Sequence, residues 1–345
     1  MPNSNIRLII ENKVPYVHGL LDDYATVQYL APEEINAKTA RDIDGMIIRT
    51  RTVCNEELLR RSDCKIIATA TIGTDHIDLE YCRKRGITVV NAPGCNAPAV
   101  AQYVFASLFR VINRPISSYT IAVIGVGHVG SIVARWAEGL GMKVLRYDPL
   151  RKEAEPNSDI QWSDLDTIAR EADIITFHTP LTTTGEHATF HMADEEFFGK
   201  LRRAPIIINS ARGSVIDTLA LNNAKDAGLV SHLIIDCWEG EPTIDTGLLA
   251  RASVATPHIA GYSAEGKIRA SQVALDALST FFMIPRVAID MPLPPAPARY
   301  VSASGVMNSY DPMPESDALK AAPASFETLR NNYVLRHEAP EGRES

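Results

Sequence analysis

Residues 119–130 read YTIAVIGVGHVG, a run of apolar, largely β-branched residues that ends in Gly125-x-Gly127-x-x-Gly130. The spacing alone says little, because glycine also marks ordinary turns. Its surroundings narrow it. SIVARWAEGLG follows with helical periodicity, and KVLRY reads as a second strand closed by Asp148, 18 residues beyond Gly130. Strand, glycine turn, helix and acid-tipped strand together form the unit that holds a dinucleotide. The glycines permit a tight turn and close approach to a pyrophosphate, and the helix N-terminus offers it N–H donors. Asp148 is placed to accept hydrogen bonds from ribose hydroxyls. A carboxylate there repels a 2′-phosphate, which favours NAD over NADP, and Arg146 and Arg151 nearby act against that preference.

Such a unit requires neighbours. TIAVIG, KVLRYD, DIITFHT, PIIINSA, HLIIDCW and SVATP alternate with helical stretches, giving six strands of a doubly wound parallel sheet. Upstream, IRLII, DGMIIR, KIIATAT and ITVVN read as strands, and residues 79–86 as a helix stopped by Gly86. Residues 97–112 are apolar on most faces, which predicts a buried helix. Residues 261–282 read as a loop and then a long helix. At 345 residues the chain exceeds one ordinary core. DMPLPPAP, residues 290–297, is too rich in proline for helix or sheet, and FETLRNNYVLRHE, residues 326–338, suits one short helix.

Composition removes other classes. A net charge of −8 and the lack of a basic stripe argue against nucleic acid. No apolar run approaches a membrane span, and the N-terminus lacks a signal-peptide run. The five cysteines are odd in number and show no metal-ligand spacing, so reduced thiols, no metal and a cytoplasmic location are expected.

Three titratable residues follow consecutive strands of the second series. Arg212 follows PIIIN, Glu241 follows HLIID, and His258 follows SVATP. Parallel strands gather their carboxyl ends, where open α/β sheets bind ligands. An arginine fork suits a carboxylate. A histidine suits the proton of a hydroxyl that loses hydride, and a neighbouring glutamate favours its imidazolium. Taken singly, each residue is as well read as an ordinary surface or loop residue.

GVGHVG, NSARGSVID, WEGEP and TPHIAG together resemble the D-2-hydroxyacid dehydrogenase family. The longer strings ATATIGTDHID, NAPGCNAPAV, ADIITFHTPL and TPHIAGYSAEGK narrow the resemblance to a branch acting on a phosphorylated 2-hydroxy acid. The resemblance implies an α/β fold of two lobes, each a doubly wound parallel sheet: a Rossmann NAD lobe over residues 96–275, and a flavodoxin-like substrate lobe from 1–95 and 276–292. It implies substrate in the cleft between them. A short C-terminal extension, residues 293–345, is expected as a reduced dimerisation segment, with a homodimer as the assembly. Implied roles are Arg212 on the substrate carboxylate, Glu241 as partner of the histidine and His258 as acid/base. Cofactor contacts carry onto Gly127, His128, Val129, Asp148, Thr179, Ser210, Ala211, Asp236 and Gly261, beside Gly125 and Gly130 of the fingerprint and Arg212. Substrate contacts carry onto Thr50, Thr71 and Tyr262. Gln102 stands where the family usually has Glu.

A substrate phosphate needs cations, and Arg49 and Arg51 flank Thr50 at the end of GMIIR. Arg49 is the better placed of the two. Lys267 and Arg269, on the helix after Tyr262, are weaker candidates, and Arg330 and Arg336 are further cations that could reach a second copy's cleft. Two other readings stay open on sequence alone: a dehydrogenase for another acid, such as 3-phosphoglycerate, and a non-catalytic NAD-sensing scaffold.

Overall fold

A computed structural model describes residues 6–292 and 294–342. Leu293, where the C-terminal segment was expected to begin, lies outside them. The chain divides into two compact units, one of residues up to 96 with 264–296, the other of 97–263 with residues from 297 onward.

The first unit holds a five-stranded parallel sheet of order β2-β1-β3-β4-β5. The strands are β1 (Arg7–Glu11), β2 (Thr26–Leu30), β3 (Gly45–Ile48), β4 (Ile66–Thr69) and β5 (Thr88–Val90). GMII and IIAT are buried at every position, as unbroken apolar runs in a parallel sheet covered on both faces should be. Side chains alternate between two cores. Leu8, Ile10, Ile47, Ile66 and Ala68 meet Ile268, Leu275 and Leu278 of the helix Ala264–Phe281 on one face. Ile9, Met46, Ile48 and Ile67 meet Leu58, Leu59 and Cys82 on the other. Because Ile268, Leu275 and Leu278 fill that first face, the long helix goes with this unit, and the unit boundary falls before Ala264 rather than after residue 275. The helix Leu79–Arg85 ends at Gly86 with φ of 71°, a left-handed cap.

The second unit holds a six-stranded parallel sheet of order β11-β10-β9-β8-β6-β7. Its strands are β6 (Thr120–Ile124), β7 (Lys143–Tyr147), β8 (Ile174–Phe177), β9 (Ile206–Asn209), β10 (His232–Ile235) and β11 (Val254–Ala255), matching the six expected segments. A single bridge from Trp162 to Arg146 on β7 adds the trace of an outer strand and completes the Rossmann order. The helix Ala97–Leu108 is buried at all twelve positions, as its all-round apolar pattern required. It packs on one sheet face together with Val133 and Trp136 of the helix His128–Gly139.

The C-terminal residues are built into this same unit. Trp136 Nε1 donates to the Ala298 carbonyl at 2.9 Å. Val301, Val306 and Tyr310 join one core of the sheet, and Leu319 and Phe326 the other. Helices Ala303–Ser309, Met313–Ala321 and Phe326–Asn331 carry Val306, Leu319 and Phe326 respectively. Among the described residues, no helix is long and apolar enough to cross a membrane.

Candidate active site

The glycine fingerprint sits between β6 and the helix His128–Gly139, and each glycine is there for a different reason. Gly125 has φ of 84°, and a Cβ on it would come within 2.9 Å of the His178 carbonyl oxygen. A Cβ on Gly130 would lie 1.9 Å from the Gly125 oxygen, so only glycine lets the helix start this close to the turn. Gly127 faces open space, the side from which a pyrophosphate would approach. His128 and Val129 open the helix. Asp148 caps the next helix through the Arg151 N–H at 3.0 Å and accepts the Val126 N–H at 2.8 Å, which ties it to the glycine turn. A carboxylate has about four acceptor sites, so capacity for a ribose remains. Arg146 pairs with Glu138 at 2.6 Å. Arg151 donates to the Val126 carbonyl at 2.6 Å and pairs with Glu155 at 3.1 Å. Both arginines therefore have partners inside the unit. Thr179 Oγ1 and Ser210 Oγ, just past β8 and β9, are buried without a hydrogen-bond partner among the described residues. Orphaned hydroxyls beside an open glycine turn fit a bound dinucleotide, which would supply the missing partners.

His178, also just past β8, is partly buried, with Nε2 3.0 Å from Thr176 Oγ1. Burial pushes its pKa down to about 3. The unfolded chain would bind a proton near pH 6.5 that the folded chain refuses, so stability should fall as pH drops from 6.5 toward 3. His178→Phe should remove about 2–3 kcal/mol of the stability lost between pH 7 and pH 4.5. Urea midpoints for both proteins at the two pH values check this, and equal losses would refute it.

The three strand-end residues come from neighbouring strands β9, β10 and β11. His258 Nδ1 lies 2.6 Å from Glu241 Oε1, both side chains about a quarter exposed. Burial of the Glu241 carboxyl opposes its ionisation. The hydrogen bond and charge of His258, the charge of Arg330 and the Trp238 N–H nevertheless hold its pKa below the usual range. His258 has φ of 56°, a left-handed conformation unusual for a non-glycine residue. It is held there from β10: Asp236 accepts the His258 N–H through its carbonyl at 2.9 Å, and its carboxylate takes the N–H groups of Ile259 at 2.8 Å and Ala260 at 3.0 Å. Strain of this sort, about 1–3 kcal/mol, persists where surrounding structure over-determines it. Asp236 is itself buried, and burial raises its pKa against these donors.

Arg212 caps the loop after β9, with Nη1 on the Ala211 carbonyl at 2.8 Å. The glycine beside it has a steric cause. A Cβ on Gly213 would lie 2.0 Å from the Trp238 carbonyl carbon, so the loops after β9 and β10 touch backbone to backbone. That contact brings the Arg212 loop against the loop that carries Glu241. Tyr262 and Gly261 follow His258 in the same turn. The Tyr262 hydroxyl accepts Arg330 Nε at 3.2 Å. Arg330 and Arg336 thus bond within their own unit, because the C-terminal segment runs alongside Ser263. No signal in the sequence placed them there. His191 is paired with Glu239 at 2.6 Å and His187 with Glu153 at 3.0 Å, and no cluster among the described residues could hold a metal. Cys237 is buried and its thiol pKa is pushed far up by that burial, which leaves it unreactive.

In the first unit, the expected substrate residues lie at the ends of β3 and β4. The buried Glu11 at the end of β1, which sequence reading missed, organises the first group. Its carboxylate takes the Arg49 N–H at 2.9 Å and the Thr52 hydroxyl at 2.8 Å. Arg49 Nη1 donates to the Lys13 carbonyl at 3.0 Å, while Thr50 and Arg51 are exposed. Thr71 Oγ1 pairs with Thr69 Oγ1 at 2.6 Å and donates to the Gly73 carbonyl.

Residues 101–260 match the model of the D-isomer specific 2-hydroxyacid dehydrogenase NAD binding domain. An erythronate-4-phosphate dehydrogenase of Bacteroides thetaiotaomicron is 45% identical over 96% of this chain and 97% of the relative. That of Porphyromonas gingivalis is 39% identical over 95% of this chain and 92% of the relative. Among solved structures, the D-lactate dehydrogenase of Aquifex aeolicus, complexed with NAD and lactic acid, superposes with a TM-score of 0.69. It is 28% identical and covers 80% of this chain and 95% of its own.

Proposed function

This chain belongs to the erythronate-4-phosphate dehydrogenases, within the D-isomer specific 2-hydroxyacid dehydrogenase family, and from that premise we propose that it oxidises 4-phospho-D-erythronate at C2. The product is 3-hydroxy-2-oxo-4-phosphooxybutanoate, on the route to pyridoxal 5′-phosphate. The observation that carries the chemistry is the 2.6 Å contact between His258 and Glu241 at the ends of adjacent strands. With Nδ1 held by the carboxylate, Nε2 is the nitrogen left to take the C2 hydroxyl proton. Glu241 fixes the tautomer and stabilises the imidazolium formed. Arg212 binds the substrate carboxylate through its planar fork. NAD, which the open turn at Gly127, Asp148, Thr179 and Ser210 would hold, would supply the acceptor for the hydride that leaves C2. In the reverse direction His258 returns the proton to the carbonyl oxygen.

The test is nicotinamide reduction, followed by absorbance, with 4-phospho-D-erythronate and with 3-phosphoglycerate in parallel. A stoichiometric amount of enzyme covers the case in which cofactor stays bound. Reduction with the first acid alone supports the reading. Reduction with the second alone moves the substrate, and none with either, despite NAD binding, returns the scaffold reading.

Thr50, Thr71 and Tyr262 are proposed substrate contacts, and Arg49, with Arg51 beside it, the holder of the 4-phosphate. Arg49→Ala should raise KM for the phosphorylated acid about 10–100-fold, the worth of one charged hydrogen bond. An unchanged KM from initial rates would remove Arg49 from the site. Pairing of two copies through the segment 293–345, and a cytoplasmic location, belong to the same proposal.

A further inference from the structure

The turn that carries the acid/base histidine is gripped from two directions. Asp236 takes its N–H groups, at Ile259 and Ala260. Arg336, from the end of the chain, takes its carbonyls. Arg336 Nη1 donates to Ile259 at 3.2 Å and Tyr262 at 3.0 Å, and Nη2 donates to Ala260 at 2.5 Å. The same guanidinium reaches the Ala99 carbonyl at 3.0 Å and Gln102 Oε1 at 3.0 Å, in the buried helix Ala97–Leu108. Its planar face lies 4.2 Å from the Tyr310 ring centre. Every nitrogen of the fork is engaged, and the residue is 8% exposed.

Gln102 fits this arrangement. Its oxygen accepts from Arg336, while its Nε2 donates to Ser309 Oγ at 2.9 Å and to the His337 carbonyl at 3.0 Å. A glutamate could accept from the arginine but could not donate to that carbonyl. The amide therefore fastens the segment carrying Arg336 as well as the arginine itself. Ser263 Oγ adds a bond to Glu338 at 3.0 Å.

We propose that Arg336 is a positioning residue for His258: the C-terminal segment, acting within its own chain, fixes the 259–262 turn and so the angle at which His258 meets Glu241. Lysine has no planar fork and only three donors, too few for the five acceptors that Arg336 meets on the helix and the turn. Without the guanidinium the turn loses three donors to its carbonyls, while the glycine turn and Asp148, which bind cofactor, are untouched. The inference rests on the acid/base role given to His258 above.

Arg336→Met and Arg336→Lys in the full chain test it. The expected result is a kcat at least about tenfold lower in Arg336→Met, the scale of a small misplacement of a reacting group. NAD affinity by fluorescence titration and KM for the acid should change less than kcat, because Gly261 and Tyr262 are the two proposed contacts carried by this turn, and Arg336→Lys should recover part of kcat. Amide hydrogen exchange at residues 259–263 should quicken in both variants, a readout that needs no turnover. If the wild type reduces no NAD, the proposed function fails while exchange still tests the brace. Unchanged kcat and exchange in either folded variant would overturn the proposal. So would a loss of NAD affinity in step with kcat, because that marks a general structural role. If Arg336→Met does not fold, Arg336→Lys alone decides by the same readouts.

Discussion

Replacing His258 with glutamine is expected to lower kcat by about 10²–10⁴, the range of general acid–base catalysis, with NAD affinity nearly unchanged. The size follows from the geometry. Nδ1 of His258 is engaged by Glu241 at 2.6 Å, so the imidazole has one nitrogen left and one task for it. A glutamine amide preserves bulk and polarity but neither accepts a proton nor holds a positive charge. The cofactor fingerprint lies at the ends of β6 and β7, whereas His258 follows β11 at the far side of the same sheet. The cofactor contacts at the glycine turn and Asp148 are therefore separable from proton transfer. Glu241→Gln should be milder, because the imidazole survives while its orientation and charge partner weaken. Steady-state kcat with a fluorescence titration of NAD distinguishes the cases. A His258→Gln enzyme that kept more than a tenth of kcat would remove His258 as the base.

The sequence made the second unit legible because its physics is local. Its central strands β6, β8, β9 and β10 are apolar runs long enough to be recognised, and the three glycines carry spacing that a dinucleotide site demands. Arg212, Glu241 and His258 could be brought together because parallel strands gather their ends. β2 was missed: TVQYL is an edge strand with Thr26 and Gln28 exposed, so it lacks the unbroken apolar run of its neighbours. The helices Ala303–Ser309 and Met313–Ala321 were missed because few of their residues are apolar. They are held by single buried anchors, Val306 and Leu319, whose partners lie far away in sequence. Arg336 shows the same limit most plainly. A lone arginine in a polar segment reads as surface, and only three-dimensional contact reveals that its partners are backbone carbonyls of residues 99 and 259–262. Carbonyls have no sequence signature.

Arg212→Ala should lower kcat/KM for the 2-hydroxy acid by about 10²–10⁴, the cost of leaving a charged substrate group without its partner in a desolvated site. Arg212→Lys should recover only part of that loss, because an ammonium keeps the charge but not the two parallel donors that set a carboxylate's angle. The loss should appear in both KM and kcat if the fork aligns C2 for hydride transfer and the hydroxyl for His258, as proposed. One confounding cause is displacement of the loop itself. Gly213→Ala separates the two, since its Cβ would drive into the Trp238 backbone and push the Arg212 and Glu241 loops apart. That variant should lose turnover together with thermal stability, whereas Arg212→Ala, whose side chain is not in the core, should lose turnover with its melting temperature nearly intact. Equal melting losses in the two variants would assign Arg212 to the fold, and an Arg212→Ala enzyme within tenfold of wild-type kcat/KM would leave the substrate carboxylate to another cation.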